Sequence, residues 1–180
     1  LPYIPHRFGE GYGLSKEALA RVLQDRKPDL IITVDNGIAA AQEVAWLLQQ
    51  GINVVVTDHH EPADLVPQGV PVTDPKLVED CSSRELAGAG VALKLVQVLG
   101  QLLGQPQLWL DYIDVAMLGT LSDMMMLNKE NRALVSEGVK RLRKGLRPGL
   151  VALAAVAGQD IAQISADNLP FSIIPRLNAA

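Results

Sequence analysis

The apolar positions of the first half of the chain fall into short blocks separated by turn-forming residues. Gly9-Glu10-Gly11-Tyr12-Gly13 is too rich in glycine for an element interior and predicts a loop. Ser15 then caps a helix that runs to about Lys27 and is stopped by Pro28. Leu30-Ile31-Ile32-Thr33-Val34 is a continuous apolar, β-branched run, the pattern of a strand buried on both faces of a parallel sheet. Asp35-Asn36-Gly37 turns the chain out of it. Ile38 to Gln50 follows with a helical pattern that Gly51 ends. Ile52 to Thr57 predicts a second buried strand, ending at Asp58-His59-His60. Val70-Pro71-Val72-Thr73 predicts a weaker strand, at an edge or a strand start because of its proline. Strand and helix alternating in this way imply an α/β fold, a parallel β-sheet with crossover helices. After Gly90 the pattern changes. Val91–Leu103, Gln107–Leu118, Asn131–Lys144 and Leu150–Ala157 all read as helices, so a mostly helical C-terminal half is expected. The sheet-rich part covers about 1–80 and the helical part about 86–180.

Composition narrows the class. Of 180 residues, 48% are hydrophobic and 20% charged, a globular balance rather than a disordered one. The single cysteine, Cys81, excludes an internal disulfide framework and suggests a reducing compartment. No apolar run approaches the ~18–20 residues that span a bilayer, and no charged-then-apolar leader opens the chain. A cytoplasmic location without membrane attachment is therefore expected. A net charge of −4 argues against a protein that coats nucleic acid through general basicity. It leaves room for an enzyme of nucleic acid, where the local field matters more than the sum. Both ends, Leu1-Pro2-Tyr3-Ile4 and Leu177-Asn178-Ala179-Ala180, read as cuts through structure.

Ligands of open parallel sheets bind at the carboxyl ends of strands. One such end delivers Asp35, the next Asp58, His59 and His60. Carboxylate and imidazole donors converging there suit a transition-metal site, with manganese, iron, zinc and cobalt all compatible, and the lack of thiolates argues against structural zinc. Each cluster also has a plainer explanation. Asp-Asn-Gly is good turn chemistry, and Asp58 could cap a helix beside two surface histidines. Asp123, at the end of an apolar helix, is a third carboxylate candidate whose plainer role is a solvated helix terminus. The Met124-Met125-Met126 run reads as core or loop packing, and Trp46 and Trp109 as core. Lys140 to Arg147 holds five basic residues in eight. It would serve either a nucleic-acid backbone or the negative end of a helix.

Taken in order, these stretches resemble a known family. Asp58-His59-His60, downstream of Thr33-Val34-Asp35-Asn36-Gly37, resembles the DHH phosphoesterase superfamily. Ile4-Pro5-His6-Arg7-Phe8 with Glu10-Gly11-Tyr12-Gly13, Leu86 to Ala92, Gly119-Thr120 through Asp123, Glu130-Asn131-Arg132, and Pro175 to Ala179 resemble motifs of its RecJ-type single-strand-specific exonucleases. The resemblance implies a manganese-dependent, two-metal phosphoesterase, with magnesium as the alternative. Such an enzyme degrades single-stranded DNA from the 5′ end in repair and recombination, and single-strand-binding proteins or helicases are the partners it would meet. It also implies roles. Asp35 would bridge the metals, His59 would ligate one, and Asp123 would complete that site. His60 would contact the scissile phosphate, and Asp58 would orient the histidines. His6, Arg7, Arg176 and Asn178, with backbone amides around Gly88 and Gly90, would hold phosphates. The family's first, aspartate-rich motif would lie upstream of Leu1, so a partial catalytic domain binding at most one metal, and inactive alone, is expected. Two other readings compete: a pyrophosphatase or oligonucleotide or cyclic-dinucleotide phosphodiesterase of the same superfamily, and a non-catalytic nucleic-acid-binding module. Glu130-Asn131-Arg132 and the Glu10-to-Gly13 motif lean against the first, and retention of Asp35, His59, His60 and Asp123 against the second.

Overall fold

The computed structural model describes residues 2–5 and 13–179. The glycine-rich loop before Gly13, and the phosphate-binding roles expected of His6 and Arg7, fall outside these residues. The chain divides into two compact units, Leu1–Arg84 and Glu85–Ala180.

In the first unit Ser15 Oγ accepts a hydrogen bond from Ala18 N–H at 3.2 Å, which starts helix α1 (Lys16–Asp25). Three strands follow, β1 (Leu30–Val34), β2 (Asn53–Thr57) and β3 (Val72–Thr73), with helix α2 (Ala41–Gln49) between the first two. They form a parallel sheet in the order β1-β2-β3. The register pairs Leu30 with Asn53, Val34 with Thr57, and Thr57 with Thr73. Leu19 of α1, Val44 and Leu47 of α2, and Ile52, Val54 and Val56 make one buried cluster, with Trp46 packed partly against it.

Two expectations about strands need correction. β1 is not buried on both faces: Leu30, Ile32 and Val34 are each nearly half exposed, whereas Thr33 is buried. Among the described residues it pairs with β2, and Leu30, Ile32 and Val34 share the face of the sheet that is left open. β3 is two residues long rather than four. Pro71 supplies only its carbonyl, which accepts from Val56 N–H at 2.9 Å, because it has no N–H to extend the ladder.

The second unit is helical: α3 (Gly88–Leu102), α4 (Ile113–Ser122), α5 (Lys129–Leu142), α6 (Pro148–Val156) and α7 (Ile174–Asn178). Its core takes Leu86, Val91, Ile113, Met117, Leu118, Val135, Val139, Ile164 and Leu169 among others, with Trp109 packed at its edge. The single helix expected at 107–118 is instead a 3₁₀ segment, Leu108–Tyr112, followed by α4. The side chains explain the break. In a continuous α-helix Val115 N–H would donate to the Asp111 carbonyl. Here Val115 N–H donates to Asp114 Oδ1 at 2.9 Å, and the Asp111 carbonyl accepts from Arg147 Nη2 at 2.7 Å.

The basic run is largely engaged inside this unit. Arg147 grips both oxygens of buried Asp114 at 3.0 and 3.1 Å. Arg141 pairs with Asp111, Arg143 Nε donates to the Ile164 carbonyl at 2.8 Å, and Lys140 pairs with Glu137. The methionine run, in turn, is not core: Met124 and Met126 stand exposed between α4 and α5. No helix among the described residues is long and apolar enough to cross a membrane.

A candidate metal centre at the strand ends

Each strand of the sheet hands its chain to an aspartate: Asp35 after β1, Asp58 after β2 and Asp74 after β3. The ladder continues into these positions, since Asp35 N–H donates to the Thr57 carbonyl at 3.1 Å and Asp58 N–H to the Thr73 carbonyl at 3.0 Å. The three carboxylates therefore line one end of the sheet.

Asp35 adopts a left-handed backbone, φ +63°. Asp tolerates this region better than most residues, but a non-glycine there carries strain that its surroundings must hold. Thr33 does much of the holding. Its Oγ1 donates to the Asn36 carbonyl at 2.7 Å, and its own carbonyl accepts from Thr57 Oγ1 at 2.6 Å. Gly37 is needed at the same turn, because its φ is +109° and a Cβ there would lie 2.8 Å from Thr33 Oγ1. The turn chemistry of Asp-Asn-Gly is thus real, and it aims the Asp35 carboxylate outward.

Asp58 is almost wholly buried and both oxygens are taken. Oδ2 accepts from Ile38 N–H at 2.8 Å. Oδ1 accepts from the N–H groups of His59 and His60 at 2.8 and 3.3 Å and meets His60 Nδ1 at 2.7 Å. Burial, the largest influence, pushes this carboxyl up. The hydrogen bonds from Ile38, the His60 ring and the two histidine N–H groups outweigh it, so Asp58 titrates below the usual carboxylate range. An ionised Asp58 can only accept, so the facing His60 Nδ1 carries a proton, and a neutral ring then has its lone pair on Nε2.

His59 is buried with Nε2 2.9 Å from Asp35 Oδ1, and the two imidazole rings lie 4.5 Å apart, centroid to centroid. One ligand atom from each of Asp35, His59 and His60 falls within 4.8 Å of the others. This is the one such group among the described residues, and a single cation could span it. One carboxylate oxygen and two imidazole nitrogens suit manganese, iron or zinc. The open cleft beside the group, about 470 Å³, is lined by five carboxylates (Glu17, Asp35, Glu43, Asp58, Glu61) and one ammonium (Lys16). Such a field draws cations in.

Asp74 does not stand out in the sequence, although the strand-end rule that marks Asp35 and Asp58 marks it too. It is buried. Oδ1 caps the short 3₁₀ turn Pro75–Leu77 by accepting from Lys76 N–H at 2.8 Å, and Oδ2 has no partner. Burial, with the nearby Asp58 charge adding to it, raises its pKa. A carboxyl whose folded pKa is raised stabilises the fold below its unfolded pKa and loses that stabilisation as pH climbs through the folded value. Asp74→Asn keeps the capping oxygen without the charge. In the metal-free protein it should gain roughly 1 kcal/mol at pH 7 and little near pH 3. Melting at the two pH values checks this, and equal Tm gains at both would refute it.

The other site candidates lie in the second unit. Asp123 caps the C-terminus of α4, its N–H donating to the Gly119 carbonyl at 3.0 Å. Asn178 Oδ1 accepts from Ser122 Oγ at 3.2 Å, next to Asp123. Arg176 Nη1 donates to the Ser172 carbonyl at 2.6 Å, which leaves its other guanidinium N–H groups for further partners. Gly88 and Gly90 open α3. A Cβ on Gly90 would lie 3.0 Å from Leu86 Cδ2, so close packing is one reason for glycine there.

Comparison with known proteins accords with this arrangement. The chain is 41% identical to the single-stranded-DNA-specific exonuclease RecJ of Dickeya dadantii, over 98% of its own length and 33% of that protein's. It is also 41% identical to RecJ of Bacillus subtilis, covering 98% of the chain and 22% of the relative. A crystal structure of exonuclease RecJ bound to manganese superposes with a TM-score of 0.88 at 41% identity, covering all of this chain and 45% of that one. The chain thus spans a third or less of the length of these curated relatives. Residues 1–120, which include all three strands and the aspartates at their ends, match the N-terminal domain of the DHH family, and it is to this family that the chain belongs.

Proposed function

We propose that the chain forms part of a metal-dependent phosphodiesterase that shortens single-stranded DNA from its 5′ end, with manganese as its cation and magnesium as the alternative. The observation that carries this reading is the convergence of Asp35, His59 and His60 at the strand ends. The likeness to RecJ exonucleases, one of them bound to manganese, supports the substrate and the metal.

A phosphodiester is anionic, and a cleft with five carboxylates and one ammonium repels it. Divalent cations held there reverse the local field, and when bound they neutralise the phosphate and lower the pKa of an attacking water. In this reading Asp35 and His59 bind metal, and Asp123 is a metal ligand on the strength of the resemblance. His60, held through Nδ1, presents Nε2 to the phosphate, and Asp58 fixes both histidines. His6, Arg7, Arg176, Asn178 and the amides around Gly88 and Gly90 hold the strand's phosphates. In this reading the enzyme works in the cytoplasm.

A calorimetric manganese titration of the chain, beside Asp35→Ala and His59→Ala, tests the site. A single site weakened at least roughly tenfold by either substitution is the expected result. No binding by a folded chain, or binding indifferent to both, would sink the metal reading. Digestion assays with the full-length enzyme test the substrate. Release of mononucleotides from 5′-phosphorylated single strands is expected; turnover of pyrophosphate or dinucleotides in preference to long strands would replace the exonuclease with a related hydrolase.

A further inference from the structure

Asn131 belongs to a sequence motif, Glu130-Asn131-Arg132, for which the reading above has no task. It lies in the first turn of α5 and is fully buried. Buried asparagine is unusual unless its amide is used. Here both amide protons are used at once. Nδ2 donates to the Glu85 carbonyl at 2.5 Å and to the Met126 carbonyl at 2.9 Å, while Oδ1 has no partner. Two carbonyls facing one end of the amide fix its orientation, since an oxygen there would be repelled by both.

The two carbonyls belong to different segments. Glu85 directly precedes Leu86 and Ala87, the two residues that lead into α3. Met126 lies in the connection 123–128 that begins with Asp123. That connection is under strain, since Met124 adopts φ +51°, a left-handed conformation in which a methionine is disfavoured. Its side chain is 89% exposed, so packing does not hold it there. Backbone bonds that close α4 hold Met124 itself, its N–H donating to the Leu121 carbonyl at 3.3 Å and the Met125 N–H to the Thr120 carbonyl at 3.2 Å, and the polar side chains around the start of α5 tie down the rest of the connection. Asn128 Oδ1 accepts from Asn131 N–H at 3.0 Å, Arg132 Nη2 donates to the Leu127 carbonyl at 3.2 Å, and Asn131 alone of the three also reaches Glu85.

We infer that Asn131 is a positioning residue that locks the Asp123 connection to the segment leading into α3, so that Asp123 is held where it works. The inference rests on the proposed metal-binding role of Asp123, but the lock itself can be tested apart from that role.

Three measurements on this chain decide it. In the unaltered chain the Asn131 side-chain amide protons should exchange at least roughly a hundredfold more slowly than those of an exposed asparagine; exchange at the exposed rate overturns the proposal even if no variant folds. In Asn131→Ala, amides of 123–128 and of Leu86 should exchange faster, with those in the middle of α3 and α4 unchanged; uniform acceleration would mean general destabilisation and overturns it. Finally, manganese affinity should fall roughly tenfold in Asn131→Ala, and the double variant Asn131→Ala/Asp123→Ala should be no weaker than Asp123→Ala alone. Additive losses would show that Asn131 does not act through Asp123. If Asp123→Ala binds manganese as the unaltered chain does, the metal role of Asp123 fails, while the exchange results still decide the lock.

Discussion

Asp58→Ala is expected to abolish cation binding at the strand ends and to cost the first unit about 3 kcal/mol or more. The carboxylate accepts from three backbone N–H groups and one imidazole, all close to or within the interior. Deleting it leaves the Ile38 and His59 N–H groups without their acceptor, and an unmet buried donor costs about 1–3 kcal/mol. The Ile38 bond also ties the β1–α2 turn, and with it Asp35, to the end of β2. Its loss loosens the turn that carries Asp35 and frees the His60 ring to rotate. Metal binding should therefore fail even though both Asp58 oxygens are taken up by hydrogen bonds within the protein. Acid should act through the same group. A carboxyl with a depressed folded pKa stabilises the protein above its unfolded pKa, near ~3.9 for aspartate, and that contribution is lost as pH falls through the lower folded value. Between pH 7 and pH 2 the unaltered chain should lose stability more steeply than Asp58→Ala. Denaturant melts across that range check both claims. Matching midpoints for the two proteins at pH 7 would remove the structural argument.

Much of this site was legible because it obeys local rules. A β-branched apolar run ending in Asp marks a strand terminus, and two such runs in succession bring Asp35 close to Asp58, His59 and His60. Asp74 is hidden because β3 is only two residues long and its proline blurs the strand pattern, although the chain end it marks is equivalent. Hydrophobicity alone also misjudges β1. An apolar run shows that a segment can be buried, but not how many neighbours cover it, and Leu30, Ile32 and Val34 are half exposed. The break at Asp111–Asp114 depends on Arg147, more than thirty residues away. Nothing in a local window could reveal that pairing. Long-range contacts likewise engage much of the basic run at 140–147, Arg141 and Arg147 pairing with Asp111 and Asp114 and Arg143 donating to the Ile164 carbonyl. Asn131 shows the limit most clearly, since its surroundings come from Glu85 and Met126, and only the fold makes them neighbours.

Gly138→Ala should have the largest effect on the second unit, a loss of about 2–3 kcal/mol. Two effects oppose each other here. Alanine is the better helix former by about 1 kcal/mol, so at an open helical site the exchange stabilises. Gly149, at the start of α6, is such a site, with nothing within 4 Å of the place a methyl group would take. Gly138→Ala differs because α5 lies directly on α4. The added carbon would overlap Met117 Cβ, come within 2.8 Å of Met117 Cγ and lie 2.9 Å from the Ile113 carbonyl oxygen. Met117 is fully buried, so its side chain has no open space to enter, and the carbonyl belongs to the helix backbone and cannot rotate away. The helices must separate, which opens voids along a core that includes Leu118, Val135 and Val139. Overpacking therefore outweighs propensity. Urea melts should show Gly138→Ala well below the unaltered chain and Gly149→Ala at or slightly above it. If both variants moved together, close helix contact would not be the reason for glycine at 138. Separation of α4 from α5 would also pull Asp123, at the end of one helix, away from Asn131, at the start of the other, so this packing contact and the amide lock should fail together.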